Sequence, residues 1–349
     1  MKRSAATLKD VASAAGVSAM TVSKALRNAP GVSDKTRERV LAIAQNIGYE
    51  TNVSASALKT GRSGIIQIIV NEYDIPFYSK LIDVMSSAVV ANGYTPFLQQ
   101  TKYSSAALQS TLSSSLFSGV LSDGVIAHAS GLSGDLFEKI VHGKPAVLID
   151  SCEEQPVVSS VVFPNEEGAR AAVQYLAERG CRNIGLIGPS YLEKKDFLHS
   201  PSPMKLRMRG ARAALLDLGL PYDESTVIAV EGMSEEHAID SVHELAKSGR
   251  IPFDGLFCLN DSAAIGAIRA LADCGIRVPD DVKVIGFDGV REGGFHVPSL
   301  TTISVDMQQL ARLVMLSLKQ QIDHEGEPLT ATKTTIGFTL LERESTQSR

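Results

Sequence analysis

The sequence predicts an α/β protein with an N-terminal all-α helix-turn-helix head and a core of two doubly wound parallel sheets. Two patterns predict this fold class. Residues 7–28 hold two short helical segments separated by a three-residue turn, and after residue 64 buried strands alternate with helices in two blocks of similar size. We therefore expect a head at 1–50, a hinge segment at 51–63 and a core at 64–349.

The first two helices of the head are predicted from their capping residues. Thr7 and Asp10 have the spacing of a capping box, and Gly16 can end the helix because glycine tolerates positive φ. Ser18 is expected to cap a second helix over residues 19–27. The apolar face that packs the pair comprises Leu8, Val11, Ala12, Ala15, Val22 and Leu26. This spacing fits either a DNA-binding motif or a helical hairpin of another small bundle.

The second helix is the expected recognition element. Such a helix places its N-terminal residues against base edges in the major groove. The side chains predicted to point outward there are Ser18, Ala19, Met20, Thr21, Ser23 and Lys24. Ala19 and Met20 can offer only apolar contacts, so hydrogen-bonded readout is expected from the polar members of this set.

A third helix and a polar segment complete the head and the hinge. Ser33 is expected to cap a helix over residues 34–47 that Gly48 ends. The side chains expected to face inward are Val40, Leu41, Ala44 and Ile47. The segment that follows is small and polar, with Leu58 as its only large apolar side chain.

The charge is divided between the two parts of the chain. Residues 1–62 carry ten Lys and Arg against four acidic residues, a net charge of +6. The remainder carries 24 basic and 35 acidic residues, a net charge of −11. A basic head suits phosphate, whereas an acidic body repels it.

Composition argues against several other classes. No apolar run approaches the length of a membrane span, and the first residues lack the apolar segment of a signal peptide. The four cysteines fit no C-x-x-C spacing and are expected to be reduced thiols of a cytoplasmic protein. No histidine pair has metal-ligand spacing and no catalytic constellation is visible, so we expect no metal, no cofactor and no enzyme.

The core elements are predicted from β-branched runs, typical of buried parallel strands, and from the helical segments between them. The strands are expected at 65–70, 94–100, 123–129, 145–150, 157–163, 183–188, 226–232, 255–260, 282–288 and 333–341. The helices are expected at 77–92, 104–118, 134–142, 166–179, 204–218, 234–247, 261–274 and 306–323. The last helix and strand are expected to tie the two blocks together.

The head resembles the lactose/galactose repressor (LacI/GalR) family. The matching motifs are T-L-K-D-V-A, A-G-V-S, T-V-S, V-S-x-K-T-R-E-R-V, Gly48-Tyr49 and A-x-x-L-K at 55–59. The resemblance implies a sequence-specific repressor that binds palindromic operator DNA as a homodimer, with Leu58 wedged into the minor groove. Besides the outward residues above, the expected DNA contacts are Thr7, Asn28, Ser33, Thr36, Asn52, Ala55, Leu58 and Lys59.

Several residues that follow predicted strands are candidates for binding a small molecule. Asp150, Asn260 and Asp288 each stand at the carboxyl end of a strand, where ligands of α/β proteins collect. Arg207 stands near the start of a helix, and Phe77 and Tyr78 begin the first helix of the core. Each has a structural alternative: a turn for either aspartate, a solvated helix start for Arg207 and plain core for Phe77. Asp261, beside Asn260, is more simply explained as a helix N-cap.

The resemblance implies a two-lobed core like that of periplasmic binding proteins, with an effector between the lobes. It carries effector contacts onto Asp150, Arg207, Asn260 and Asp288, with aromatic contacts near Phe77 and Tyr78. Lobe 1 is expected at about 64–160 plus 293–323, and lobe 2 at about 161–292 plus 324–349. The effector is expected to be a sugar or sugar derivative, neutral or mono-anionic. A transport solute-binding protein and a corepressor-dependent regulator of non-sugar metabolism remain the alternatives.

Overall fold

The computed structural model describes residues 6–26, 29–49, 62–104, 106, 122–128, 137–138, 141, 143–198, 202–247, 251–327 and 329–347. The chain forms two compact units, Met1–Ser63 and Gly64–Arg349. The Asn28 and hinge positions named above lie outside the described residues. So does almost all of the two helices predicted at 104–118 and 134–142.

The first unit is a small bundle of three helices. They are α1 (Leu8–Ala15), α2 (Ala19–Leu26) and α3 (Asp34–Asn46). Its buried core consists of Val11, Ala12, Ala15, Val22, Ala25, Val40 and Ala44, with Leu8 and Leu26 packed at the edge. The capping box of Thr7 and Asp10 is present, and Gly16 adopts φ 63°. The predicted helix-turn-helix and its apolar face are therefore confirmed.

One part of the predicted head core is wrong. Leu41 and Ile47 are 45% and 38% exposed, whereas Val40 and Ala44 are buried and Ile43 packs against the core. The bundle has only two other helices, so α3 buries a narrow stripe at i and i+4. Residues on either side of that stripe stay in solvent.

The second unit contains two six-stranded sheets. The first holds β1 (Ile65–Val70), β2 (Thr95–Gln100), β3 (Gly124–Ala127), β4 (Ala146–Ile149), β5 (Ser160–Val162) and β11 (Lys333–Thr335). The second holds β6 (Ile184–Gly188), β7 (Val227–Ala229), β8 (Gly255–Cys258), β9 (Lys283–Asp288), β10 (Thr301–Val305) and β12 (Phe338–Leu341). The described helices of this unit are α4 (Pro76–Ala91), α5 (Asn165–Glu178), α6 (Pro203–Asp217), α7 (Glu235–Lys247), α8 (Asp261–Asp273) and α9 (Met307–Asp323).

Both sheets are doubly wound. The strand order is β11-β5-β4-β3-β1-β2 in the first and β12-β10-β9-β8-β6-β7 in the second. All neighbouring strands are parallel except β10 and β12. The central strands are buried on both faces because helices cover each sheet, which explains their continuous β-branched runs. The predicted α/β class is confirmed.

The chain crosses from one sheet to the other more often than the sequence predicts. Strand β10 pairs with β9 in the second sheet, while β11 pairs with β5 in the first. The assignment of 293–323 wholly to lobe 1 and of 324–349 wholly to lobe 2 is therefore wrong at these two strands. The strand predicted at 333–341 is two strands, one in each sheet. Edge strands of this length carry too little hydrophobic pattern to reveal which sheet they join.

Helix α9 belongs with the first sheet. The side-chain amide of Gln321 donates to Ala146 O at 3.0 Å and accepts from Ala146 N–H at 2.9 Å, which fastens α9 to β4. In the second sheet, α5 and α6 approach each other closely at Gly210. A Cβ there would lie 2.1 Å from the backbone oxygen of Glu166. This close contact fixes where α6, and with it Arg207, stands relative to α5.

Candidate functional site

The head presents the N-terminal turn of α2 to solvent. Ser18 Oγ accepts a hydrogen bond from Thr21 N–H at 3.1 Å and lies 2.9 Å from Thr21 Oγ1, so the two hydroxyls are already ordered. Met20 is 70% exposed, which is unusual for a methionine in a domain this small. Ala19 instead packs partly against the head core. The remaining members of the predicted set, Ser23 and Lys24, are half-buried.

Two of the other predicted contact residues are helix caps. Thr7 begins α1, and its hydroxyl donates to Asp10 Oδ2 at 2.7 Å. Ser33 caps α3, and its Oγ lies 2.9 Å from Thr36 Oγ1. Each cap accepts one first-turn N–H, that of Asp10 or Thr36, so a phosphate at either helix start would pair with the remaining N–H groups.

Arg37, which the sequence did not single out, organises the turn after α2. Its guanidinium donates to Ala25 O at 3.2 Å, Ala29 O at 3.1 Å and Val32 O at 3.4 Å. These carbonyls belong to the end of α2 and the segment leading into α3, where orphan acceptors need partners. Arg37 therefore holds the head together rather than contributing a free surface charge.

The second unit encloses a cavity of about 530 Å³ at the carboxyl ends of its strands. All six predicted effector residues line it: Phe77, Tyr78, Asp150, Arg207, Asn260 and Asp288. Other lining residues that the sequence did not single out include Glu72, Tyr103, His128, Met204, Met233 and His237. The cavity thus takes residues from both sheets.

A chain of buried polar side chains crosses from the first sheet to the second. Asn165 Nδ2 donates to Asp150 Oδ1 at 2.9 Å, and Arg207 Nε donates to Asn165 Oδ1 at 2.8 Å. Arg207 Nη1 lies 3.1 Å from Asp288 Oδ1 and donates to Leu259 O at 2.6 Å. The sequence analysis did not identify Asn165, because it lies three residues beyond the end of β5 and opens α5, whereas Asp150 directly follows β4.

Arg207 is buried in the wall of the cavity and is not a solvated residue at a helix start. It is the fifth residue of α6, its side chain is 3% exposed, and its guanidinium carbon stacks 3.7 Å from the ring centroid of Phe287. A buried charge requires a partner, and Asp288 supplies it.

Asp150 and Asp288 each stand at the end of a strand in a strained backbone conformation. Asp150 has φ 59° and Asp288 has φ 122°, conformations in which non-glycine residues are uncommon. Burial raises the pKa of Asp150 to about 6, although Arg207 opposes the rise. Burial likewise raises the pKa of Asp288 to about 6 against the effect of Arg207. Each side chain therefore resists ionisation more than an exposed aspartate does.

Asn260, which lines the cavity as expected, also caps α8 in place of Asp261. Asn260 is the N-cap of α8: its Oδ1 accepts from Ala263 N–H at 2.9 Å and its Nδ2 donates to Met233 O at 2.8 Å. The expectation that Asp261 caps this helix is therefore wrong. Asp261 is fully buried and accepts from Val290 N–H and from the Thr302 hydroxyl, because its carboxylate points into the second sheet.

An aromatic wall closes the first-sheet side of the cavity. Phe77 packs edge-to-face on Tyr78 at 5.2 Å and on Phe163 at 5.7 Å between centroids, and Tyr78 packs on His128 at 5.2 Å. The Tyr78 hydroxyl accepts from Asn71 Nδ2 at 2.9 Å. His128 is the residue after β3, so the strand-end rule applied there would have found it.

Neither a metal-binding group of side chains nor a membrane-spanning helix occurs among the described residues. Among them, no group of three His, Cys, Asp or Glu side chains is arranged to hold a metal ion. Within the same part of the chain, no helix is both long and apolar enough to cross a membrane.

Comparison with known proteins agrees with both units. Residues 7–52 match the model of "Bacterial regulatory proteins, lacI family", and residues 173–346 match that of a periplasmic binding protein-like domain. The chain is 31% identical to the HTH-type transcriptional regulator MalR of Clostridium butyricum, over 92% of this chain and 94% of that protein. It is 27% identical to the HTH-type transcriptional repressor PurR of Pasteurella multocida, over 92% and 93% of the two chains. The structure of a complex of the transcriptional regulator CelR with cellobiose matches with a TM-score of 0.68 and 26% identity, covering 97% of this chain and 99% of that one.

Proposed function

This chain belongs to the lacI family of bacterial regulatory proteins, and on that premise we propose that it is a repressor controlled by a sugar-like effector. It is a DNA-binding transcriptional regulator. The proposal adds that it binds a palindromic operator as a homodimer and that a small polar molecule in the cavity weakens this binding. The observation that carries the proposal is the polar chain from Asp150 to Asp288, which joins the two sheets across the cavity.

The exposed turn of α2 supports base readout by the head. Ser18 and Thr21 present ordered hydroxyls, and the exposed Met20 suits contact with a thymine methyl. The capped starts of α1 and α3, at Thr7 and Ser33, suit phosphate contacts that fix the register on the duplex. In the hinge, we assign Asn52, Ala55 and Lys59 to DNA contact and Leu58 to a wedge in the minor groove.

The cavity supports a small hydroxyl-rich effector. Its volume of about 530 Å³ lies in the range of small-molecule sites, and carboxylate oxygens and an aromatic wall are the groups that bind sugar hydroxyls and sugar faces. CelR, which is similar over nearly the whole chain, has been solved with cellobiose, a sugar. We take the effector as an inducer, so that closing the cavity draws the two hinges of a dimer apart.

Exposed apolar side chains support the homodimer. Val90 and Leu316 are 60% and 56% exposed on α4 and α9, and Phe295 and Val297 are 73% and 90% exposed before β10. Such side chains are favoured where a second copy covers them. An isologous dimer would pair two heads with the two halves of a palindrome.

Selection of bound duplexes from a randomised library tests the proposal directly. A repressor of this kind should select a palindrome, bind it as a dimer and lose roughly 10³-fold or more in affinity between about 50 and 200 mM salt. A transport solute-binding protein would select no sequence. A corepressor-dependent regulator would bind the selected palindrome more tightly, not less, when its effector is added.

A further inference from the structure

The charges of the cavity lining are unbalanced. Three carboxylates face it, those of Glu72, Asp150 and Asp288, and of these Glu72 has an exposed partner outside the lining, Lys102 at 3.9 Å. Among the described lining residues, Arg207 is the sole side chain with a permanent positive charge. An anionic ligand would therefore meet an excess of negative charge unless Arg207 were free to pair with it.

The guanidinium of Arg207 already makes hydrogen bonds and an ion pair within the protein. Its Nη1 lies 3.1 Å from Asp288 Oδ1 and donates to Leu259 O, while its Nε donates to Asn165. One face of the guanidinium is covered by Phe287 at 3.7 Å. A phosphate or carboxylate ligand at Nη1 would have to displace Asp288, which would leave that buried carboxylate without its partner, and a ligand at Nη2 would lie beside the negative charge of Asp288.

The two lining histidines do not restore the balance. Burial, together with the charge of Arg207, lowers the pKa of His128 to about 4, so this ring is neutral near pH 7. His128 Nδ1 has no hydrogen-bond partner among the described residues, which leaves it suited to a neutral group. His237 lies at the exposed mouth, where its Nδ1 is 3.0 Å from Ser234 Oγ.

We propose that the cavity excludes anions, so that the effector is an uncharged polyhydroxylated molecule and not a sugar phosphate or sugar acid. The inference rests on the proposed function and narrows its ligand class. Asp288 is the determinant: it neutralises Arg207 and so withholds the one guanidinium that could pair with a phosphate. Its removal should convert the cavity into an anion site.

Inorganic phosphate is the probe, because it tests the charge of the cavity without knowledge of the effector. Thermal unfolding and calorimetry of the full chain at about pH 7.5, with chloride replacing phosphate at constant ionic strength, should show the same phosphate binding by the parent and by Arg207→Ala. Phosphate bound by the basic head is common to both proteins, so only binding that Arg207→Ala abolishes is assigned to the cavity. Asp288→Asn keeps the size of the side chain but frees the charge of Arg207. It should bind phosphate at least about tenfold more tightly than the parent.

Two further variants keep this test decisive. Asp150→Asn removes another facing carboxylate but leaves Arg207 paired with Asp288, so it should gain phosphate affinity over the parent but less than Asp288→Asn does. Asp281→Asn is the matched control, because Asp281 pairs with Arg277 at 2.8 Å on the exposed surface, outside the cavity lining. It should behave as the parent does. Phosphate binding by the parent that Arg207→Ala abolishes, or no gain in either cavity variant, overturns the proposal.

A screen for operator release separates this inference from the proposed function. Uncharged sugars and their phosphates, such as D-ribose with D-ribose 5-phosphate and D-glucose with D-glucose 6-phosphate, are added to the parent on its selected operator. Release by an uncharged sugar supports the inference. Release by phosphorylated members alone overturns it while leaving effector control intact. Failure to bind any operator overturns the proposed function, and the phosphate experiment still decides the charge of the cavity.

Discussion

The guanidinium of Arg207 lies 3.1 Å from the carboxylate of Asp288, and both side chains are buried, at 3% and 7% exposure. The pair stands between α6 and the end of β9, on the second-sheet side of the cavity. Asn165 extends it to Asp150 on the first-sheet side. A ligand that contacted either aspartate would therefore alter hydrogen bonds that join the two sheets. Such a ligand could in this way change the position of one lobe relative to the other.

Asp150→Asn should stabilise the ligand-free core at neutral pH. The pKa of Asp150 in the folded protein, about 6, exceeds its ordinary value of 3.8 because of burial. The folded state therefore holds the proton more tightly than the unfolded state, and this contribution to stability is lost as the pH rises from about 4 through 6. Asparagine is never ionised and keeps an oxygen for the Phe163 N–H. We expect a gain of about 2 to 3 kcal/mol in the free energy of unfolding at pH 7, and none near pH 4.

Urea unfolding of both proteins across this pH range measures the difference. Asp281→Asn is again the control, since the pKa of the exposed Asp281 is lowered to about 2 by its hydrogen bonds to Arg277. If the free energy of unfolding of the parent did not change between pH 4 and 7, the burial of Asp150 and its raised pKa would be contradicted.

Arg37→Ala should destabilise the head and weaken operator binding without removing a base contact. The variant leaves the carbonyls of Ala25, Ala29 and Val32 without their donor. We expect a loss of about 1 to 3 kcal/mol in the stability of the head. Arg39→Ala removes the same charge from the same helix at an exposed position. Hydrogen exchange of the α2 amides should rise in the first variant and remain at the parental rate in the second.

Met20 should determine part of the operator sequence. Its 70% exposure at the start of α2 lets a polar replacement act on DNA without a change in packing, whereas Ala19 touches the head core. Met20→Gln should change the preferred base pair at one position of each half-site by about 1 to 3 kcal/mol. Met20→Leu should keep the parental preference. An unchanged sequence from randomised-site selection with the glutamine variant would remove this residue from base readout.

Gly210→Ala should displace α6 and disturb the cavity from a distance. The added Cβ would lie 2.1 Å from the Glu166 backbone oxygen, which cannot yield as a flexible side chain can. A cost of about 1 to 3 kcal/mol is expected for overpacking of this kind. Gly337→Ala is the control, because its Cβ would meet nothing closer than the Gln309 side chain at 3.8 Å. Equal melting temperatures for the two variants would contradict the close approach of α5 and α6.

The strength of each local signal determines how much could be predicted from the sequence. Thr7, Gly16 and Ser33 have side chains or backbone preferences that favour helix ends, so the helix boundaries near them could be predicted. The β-branched run at 65–70 likewise predicts a buried strand. Leu41 was misplaced because helical periodicity cannot tell a narrow buried stripe from a wide one. The sheet joined by β11 and β10 depends on tertiary pairing that three to five residues do not encode.

The residues of the candidate site were likewise predictable from the sequence only in part. Strand ends identify Asp150, Asn260 and Asp288, and the resemblance supports these together with Arg207. Which side chains pair with one another was not predictable: Asn165 bridges two of them, and Asn260 takes the cap expected of Asp261. Such pairings arise from the approach of segments that are distant in sequence, so periodicity and capping rules do not reach them.

Reciprocal coupling between the cavity and the operator tests the central claim most directly. The effector found by operator release is titrated into the full chain with and without saturating operator, for the parent and for Arg207→Ala. We expect operator to lower the effector affinity of the parent by about 5- to 150-fold, and the effector to lower its operator affinity by the same factor. Arg207→Ala should bind operator as the parent does and show no response. Equal effector affinity with and without operator, or a parental response from Arg207→Ala, would contradict that claim.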